Sequence, residues 1–309
     1  MKEYIKVSVI TVIVTYNRKE LLCNCLEGLL KQSKKIEKII IVDNASTDGT
    51  EKYLKEKGYI DNENIEYNRL EENTGGAGGF KAGVQLANNY EFEWCWLMDD
   101  DVYPQSDCLE NLLKVYEESN GEYSILQTNR VDVASNESLP YTTKLNFRNP
   151  FQLESTDCIY PDKMNDLFKE IVSIPFEGPL IKREVLKTVG DIDDSYFIIC
   201  DDADFSIRAQ EKGFKLAVVK NAIMKRHSLH LQKKEVFNWK DYYMLRNRIE
   251  LDYRYGNLYI VYTRALFQFV FYNLKCIKEI KKFRFKDYKL LMKALKDGLL
   301  RKRGKRVTP

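Results

Sequence analysis

Short apolar runs alternate with amphipathic stretches along the first half of the chain. Val7–Val14 is a β-branched run suited to a central strand, and Arg18–Gln32 places Leu21, Leu22, Cys25 and Leu29 at helical spacing. Ile39–Val42 repeats the strand pattern, residues 50–57 read as a helix and Ile65–Leu70 as a third strand. A helix over Phe80–Asn89 and a fourth strand over Trp94–Met98 follow. Strands alternating with helices predict βαβ units and a parallel sheet. Beyond Asp107 the pattern loosens into a helix at Cys108–Ser119, a strand at Tyr123–Thr128 and a polar stretch from Asn129 to Asp166. A connection of that length without periodicity is more often functional than idle. A helix near Asp202–Lys212 and a strand at Phe214–Val219 come next, and from Trp239 onward the chain reads as helices.

The 309 residues suffice for a large core, and 44% hydrophobic with 31% charged residues describe an ordinary soluble protein. Seven scattered cysteines, with Cys23-Asn24-Cys25 at neither a metal nor a redox spacing, exclude a zinc site and a disulfide framework. No signal-peptide pattern opens the chain, so a cytoplasmic location is expected. Charge changes the picture more. The segment Lys275–Pro309 has 14 Lys or Arg against 3 Asp or Glu, a net of +11, which leaves −8 for the first 274 residues of a chain whose total is +3.

Four segments carry chemistry. Asp99, Asp100 and Asp101 follow directly on the fourth strand, and ligands in open α/β sheets bind beyond the carboxyl ends of strands. Three adjacent carboxylates repel one another, and a divalent cation with a taste for hard oxygen ligands, magnesium or manganese, relieves that repulsion. A solvated acidic turn is the alternative. Asn73-Thr74-Gly75-Gly76-Ala77-Gly78-Gly79-Phe80 has more glycines than a tight turn needs, just before a helix whose N-terminus suits anionic groups. It is neither a dinucleotide fingerprint, since position 81 is Lys81, nor a P-loop. In Asp201-Asp202-Ala203-Asp204 some acids cap a helix; Asp202 and Asp204 cannot share one helix face, so one is free for a cleft while another caps or pairs with Arg208. His227 follows a strand-like segment and is a plausible imidazole ligand for a metal, whereas His230 fits an ordinary surface role.

Together, Val12–Arg18, Val42–Thr50, Trp96–Asp101 and Asp201–Arg208 resemble the inverting glycosyltransferases of family 2. The glycine block and Tyr242-Tyr243-Met244-Leu245-Arg246-Asn247 are similar to bacterial galactofuranosyltransferases, with rhamnosyltransferases close behind. The resemblance spans roughly residues 7–250. It implies an α/β fold of the glycosyltransferase A type, a Rossmann-like mixed sheet flanked by helices with a C-terminal helical, basic extension. It also implies a nucleotide-sugar donor, Mn2+ or Mg2+, and inverting transfer of a sugar, galactofuranose from UDP-galactofuranose in the first place and rhamnose from dTDP-rhamnose in the second. Carried over by position, Thr15 and Asp43 lie near the nucleobase and ribose. Asn73 and the glycine block around Gly76 lie near the donor, as do Asp99 and Asp100. Asp101, Asp99 and His227 hold the metal, and Asp202 is the general base, preceded by Asp201 where the family often has Glu.

The expected organisation is a catalytic domain over 1–235 and a helical region over 236–309 that faces acceptor and membrane. Leu258–Leu274 is rich in Phe, Tyr, Leu and Val, and Arg264 interrupts what is otherwise a marginal membrane span. Lying on an anionic leaflet fits this composition better than crossing it, which predicts an enzyme peripheral to the inner face of the cell membrane and a glycan or lipid-linked acceptor. Charge without a recognition motif argues against nucleic acid. A homo-oligomer is compatible with the sequence. A non-catalytic carbohydrate-binding or scaffold protein is the competing class, and it has no need of a metal cluster, a base and a glycine cradle in this order. Sugar-nucleotide synthesis is disfavoured because Thr15-Tyr16-Asn17-Arg18 lacks a glycine-rich loop after the first strand.

Overall fold

The computed structural model describes residues 8–152, 155–227, 237–278 and 284–308. The first half of the chain follows the alternation the sequence predicts: β1 (Val9–Thr15), α1 (Lys19–Leu30), β2 (Lys38–Asp43), α2 (Thr50–Glu56), β3 (Ile65–Arg69), α3 (Gly75–Ala87) and β4 (Trp94–Asp99). Then come β5 (Val102–Pro104), α4 (Cys108–Glu118), β6 (Tyr123–Asp132), the hairpin β7 (Tyr141–Leu145) and β8 (Ser155–Ile159), β9 (Phe168–Ile171), β10 (Pro179–Lys182), α5 (Arg183–Val189), α6 (Asp201–Glu211) and β11 (Lys215–Arg226). The chain closes with α7 (Trp239–Tyr255), α8 (Leu258–Lys278) and α9 (Phe285–Leu299).

Among the described residues one sheet runs β3-β2-β1-β4-β10-β6-β11, with β5 and β9 both on the outer edge of β11. β3, β2, β1 and β4 are parallel, as the alternation predicts, and so are β6 and β11. An all-parallel sheet is not what forms. β10 enters antiparallel between β4 and β6, so the sheet is mixed. The polar stretch after β6 is also not structureless, because it contains the β7–β8 hairpin.

Alternating side chains sort the core into two layers, as a strand's period of two requires. Ile13, Ile39, Ile41, Trp94, Trp96 and Met98 pack toward α1 and α4, whereas Ile10, Val12, Val14, Ile40, Val42 and Leu97 pack with Phe80 and Val84 of α3. A separate cluster joins the C-terminal helices through Tyr242, Tyr243, Ile249, Val261, Leu291 and Leu295. Asn238 and Asp241 form a reciprocal capping box at the start of α7.

α3 begins at Gly75, five residues before the predicted start, so the glycine block is a helix's first turns and not a loop. A Cβ on Gly79 would sit 2.5 Å from Val14 Cγ1, and one on Gly83 2.2 Å from Val12 Cγ1. Gly75 has φ +77°, and a Cβ there would lie 2.0 Å from the Phe197 carbonyl oxygen. Close packing on the sheet accounts for Gly79 and Gly83, and close approach of the Phe197 loop for Gly75. Gly76 is different: a Cβ there would meet open space.

Candidate active site

Register puts the strand ends side by side. Thr15 pairs with Asp43 and Val14 with Asp99, so the carboxyl ends of β1, β2 and β4 form one ledge. The three aspartates turn different ways off it. Asp100 accepts from Thr15 Oγ1 at 2.7 Å and from the Arg18 guanidinium at 3.0 Å. The same Arg18 nitrogen reaches Asp101 Oδ2 at 3.3 Å. Burial would lower the Arg18 pKa, but Asp100 and Asp101 outweigh it and hold the guanidinium charged. Burial pushes Asp100 up to about 6 against the pull of Arg18. Asp99 is pushed well above the carboxylate range by burial and then by the charges of Asp101 and Glu177.

His227 comes to the same place from β11. Arg226 pairs with Val102 across β5, and the His227 N–H donates to the Asp101 carbonyl at 2.9 Å. Asp101 Oδ1 and His227 Nε2 are both buried and have no hydrogen-bond partner. A hard oxygen and an imidazole nitrogen left bare at neighbouring positions fit the donor set of a manganese-type ion, with the Asp99 carboxylate nearby to add charge. Among the described residues no three His, Cys, Asp or Glu side chains already converge into a metal cage. His230 lies outside the described residues. An open groove of about 410 Å³ between α1 and β5 reaches His227, lined by Asn24, Glu27 and Tyr103, and it shares no other residue with this cluster.

α6 begins after three left-handed residues, Phe197, Ile199 and Cys200. The acids at its start divide as helix geometry requires. Asp204 is fully buried, takes Arg208 at 2.8 Å and Arg254 at 2.8 Å, and also accepts from Tyr255. It is structural. Asp201 is buried, and burial with the Asp202 charge pushes it well up. Asp202 stays partly open, accepts from the Ala203 N–H at 2.7 Å, and is pushed up to about 6 by burial, with a smaller push from the charge of Glu177.

Asp43 and Asn73 are engaged in building the ledge and the loop beside it. Asp43 accepts from the Ser46 N–H at 2.8 Å and from the Tyr67 hydroxyl. Asn73 accepts from Gly75 N–H at 2.8 Å, while Asn44 ties Thr74 and Gly75 to β2.

Sequence reasoning missed Glu177, a largely buried acid whose charge bears on this cluster. Glu177 sits between Arg130 at 2.6 Å and Arg226 at 3.1 Å, and these two arginines hold its carboxylate below the usual range against the cost of burial. Its charge reaches Asp99, Asp101 and Asp202 alike. The loop is pinned because the Glu177 carbonyl accepts from Gln127 at 3.1 Å, and because Gly178, at φ +99°, leaves no room for a Cβ beside Thr128. The available signal was a charged residue directly before Gly178-Pro179 and an apolar strand. Lys240 was also missed; burial and then Arg18 lower its pKa, which places its amine near the same cations.

The Tyr242–Asn247 segment acts at one remove. Asn247 Nδ2 donates to the Ile198 carbonyl at 2.8 Å and to that of Ile199 at 2.7 Å, and Arg246 donates to the Tyr196 carbonyl at 2.7 Å. α7 thereby shapes the loop that starts α6 and against which Gly75 packs.

Over 207 residues the chain is 28% identical to galactofuranosyltransferase GlfT1 of Mycolicibacterium smegmatis, a match covering 66% of each chain. Over 113 residues it is 39% identical to abequosyltransferase RfbV of Salmonella typhimurium, 36% of this chain and 32% of that one. The matched stretches thus span less than two thirds of these relatives. Among solved structures, GalNAc-T7 with UDP, GalNAc and Mn2+ superposes with a TM-score of 0.64 at 14% identity, covering 81% of this chain and 48% of that one. S. aureus TarS with UDP-GlcNAc gives 0.58 at 15%, covering 95% and 81%. These likenesses establish the glycosyltransferase A fold. The glycosyl transferase family 2 model matches residues 10–190, more than half of the chain, and the protein belongs to that family.

Proposed function

We propose that this protein transfers a sugar from a nucleotide-sugar donor to a hydroxyl of a glycan or lipid-linked acceptor, with inversion at the anomeric carbon. The observation that carries the reading is Asp202: a partly open carboxyl, oriented by the Ala203 N–H and pushed up to about 6, which feels the charge of the same Glu177 that acts on Asp99 and Asp101. A base in that range is ionised at neutral pH yet basic enough to take a hydroxyl proton. The acceptor oxygen attacks the anomeric carbon as Asp202 takes its proton. The bond to the donor phosphate breaks, and the nucleoside diphosphate leaves with the electron pair.

In this reading Thr15 and Asp43 shape the nucleoside end, Asn73 and Gly76 the donor side, and Asp99 and Asp100 the ribose and diphosphate side. Asp101, Asp99 and His227 would hold Mn2+ or Mg2+, which when bound offsets charge on the diphosphate. Arg18 and Lys240 add fixed positive charge nearby. UDP-galactofuranose is the first choice of donor, supported by the likeness to GlfT1 over two thirds of this chain. dTDP-rhamnose is kept as the second donor in the comparison, and the likeness to an abequosyltransferase over part of the chain is reason not to test one sugar alone. The reading extends to cell-surface polysaccharide synthesis at the inner face of the cell membrane, with the basic C-terminal helices holding the enzyme there.

A panel of nucleotide sugars, scored by thermal shift with manganese and then by product stereochemistry, tests this. Stabilisation by UDP-galactofuranose above the other donors and an inverted product are expected. A retained product sinks the mechanism; a carbohydrate-binding protein would give no donor hydrolysis at all.

A further inference from the structure

A helix on the surface of a soluble protein turns polar side chains to water. α8 does the opposite. Tyr259, Tyr262, Leu266, Val270, Leu274 and Ile277 form a stripe at three- and four-residue spacing, each between 46% and 69% exposed. Phe267 and Phe271 lie beside it, 41% and 52% exposed. At about 1.5 Å rise per residue the stripe is roughly 30 Å long. Exposed apolar surface of that extent on a single face marks an interaction site.

Arg264 is the one charged residue from Leu258 to Leu274, and it is not on this face. It is 2% exposed, paired with Asp252, and donates to the Asn146 carbonyl at 2.8 Å. The opposite side of α8 packs against α7 and α9 through Val261, Ala265 and Tyr272. Among the described residues no helix is long and apolar enough to cross a membrane, and α8 in particular has one face already committed to protein.

Charge decides what covers the stripe. It ends at Lys278, and α9 turns Lys286, Lys289 and Lys296 outward together with Phe285, 66% exposed, and Met292, 40% exposed. The segment from Lys275 to Pro309 carries a net +11. Packing this face on a second copy would bring two such segments together at a cost in repulsion, whereas an anionic surface complements both the charge and the apolar stripe. We propose that the outward face of α8, flanked by the lysines of α9, lies on an anionic lipid surface. This locates the membrane contact of the function proposed above on the apolar helix, and it holds for any donor sugar. Several basic residues of the tail are committed elsewhere, since Arg301 pairs with Glu250 at 2.8 Å and Lys293 pairs with Asp297. The stripe, more than the tail's total charge, is what the membrane takes up.

The test is sedimentation of the full chain with vesicles of phosphatidylcholine containing about one third phosphatidylglycerol, beside the variant Leu266→Glu with Leu274→Glu. Binding by the wild type and a loss of about 10-fold or more in the variant are expected, with unchanged donor hydrolysis and melting temperature. Tyr262→Ser with Ile277→Ser, which changes no charge, is expected to lose affinity as well, so that apolar contact is read apart from repulsion. Wild-type protein that ignores these vesicles overturns the proposal, as does a pair of variants that bind as the wild type does. A wild-type dimer that the glutamates dissociate, without vesicle binding, assigns the face to a second copy instead. Loss of vesicle binding with donor turnover intact separates this proposal from the sugar-transfer reading.

Discussion

Replacing Asp202 with Asn is expected to make the protein more stable and nearly inactive. The carboxyl titrates near pH 6, whereas an aspartate free of these surroundings titrates near 3.8. A pKa that is higher in the fold than in the unfolded chain contributes stability at low pH that is lost as pH rises through the folded value. At about 1.36 kcal/mol per pKa unit, the ionised carboxylate costs the fold about 3 kcal/mol at pH 8, or about half that once water reaching this partly open side chain is allowed for. Asparagine cannot ionise, yet its Oδ1 can still accept from the Ala203 N–H that orients Asp202 at 2.7 Å. The variant should therefore match the wild type near pH 4 and gain about 1.5–3 kcal/mol by pH 8, read from urea unfolding across that range. Turnover should fall by about 10²-fold or more with donor affinity nearly kept, and the wild-type kcat/KM should rise with pH through about 6. A stability difference independent of pH, or equal losses in donor affinity and turnover, would refute the assignment of this group as the base.

Other outcomes follow from the same geometry. His227→Ala and Asp101→Ala should each weaken manganese-dependent UDP binding by at least about 10-fold in calorimetric titration, because each removes an unpartnered buried ligand atom; equal affinity with and without manganese in the wild type counts against a metal there. Gly75→Ala should cost about 3 kcal/mol or more, since it adds a Cβ 2.0 Å from the Phe197 carbonyl oxygen at a positive φ. Gly76→Ala meets open space and should leave the melting temperature alone while weakening donor binding; a drop in melting temperature instead would make it another packing glycine. Deleting residues 303–309 removes the Gly304 N–H bond to the Ser195 carbonyl at 2.6 Å and the Lys305 bond to the Asn73 carbonyl at 3.0 Å. Faster hydrogen exchange over 73–77 and weaker donor binding are expected, and unchanged exchange there would show that the C-terminal segment is not what steadies the start of α3.

The sequence alone determined the elements whose causes are local. The apolar runs of β1, β2 and β4 carry their period in consecutive residues, and Asp99–Asp101 sit where a strand must end, so both were legible without knowing what packs beside them. The glycine block was visible too, but its meaning was not: whether a glycine serves a ligand or a close approach depends on Val12, Val14 and Phe197, which reach it only in the fold. The antiparallel entry of β10 between β4 and β6 was equally hidden, because a four-residue apolar strand reads the same in either direction. Tertiary structure also decided which acid does what. Asp201, Asp202 and Asp204 are near neighbours in sequence, yet a helix turns them to different surroundings, and only Asp204 meets Arg208, Arg254 and Tyr255. Glu177 comes between Arg130 and Arg226 from positions 47 and 49 residues away, a distance no periodicity spans. Arg264 reads in sequence as the charge that breaks an apolar helix; its rotation onto Asp252 leaves the outer face of that helix uncharged from Leu258 to Leu274, and rotation about a helix axis is set by packing against neighbours that the local sequence does not name.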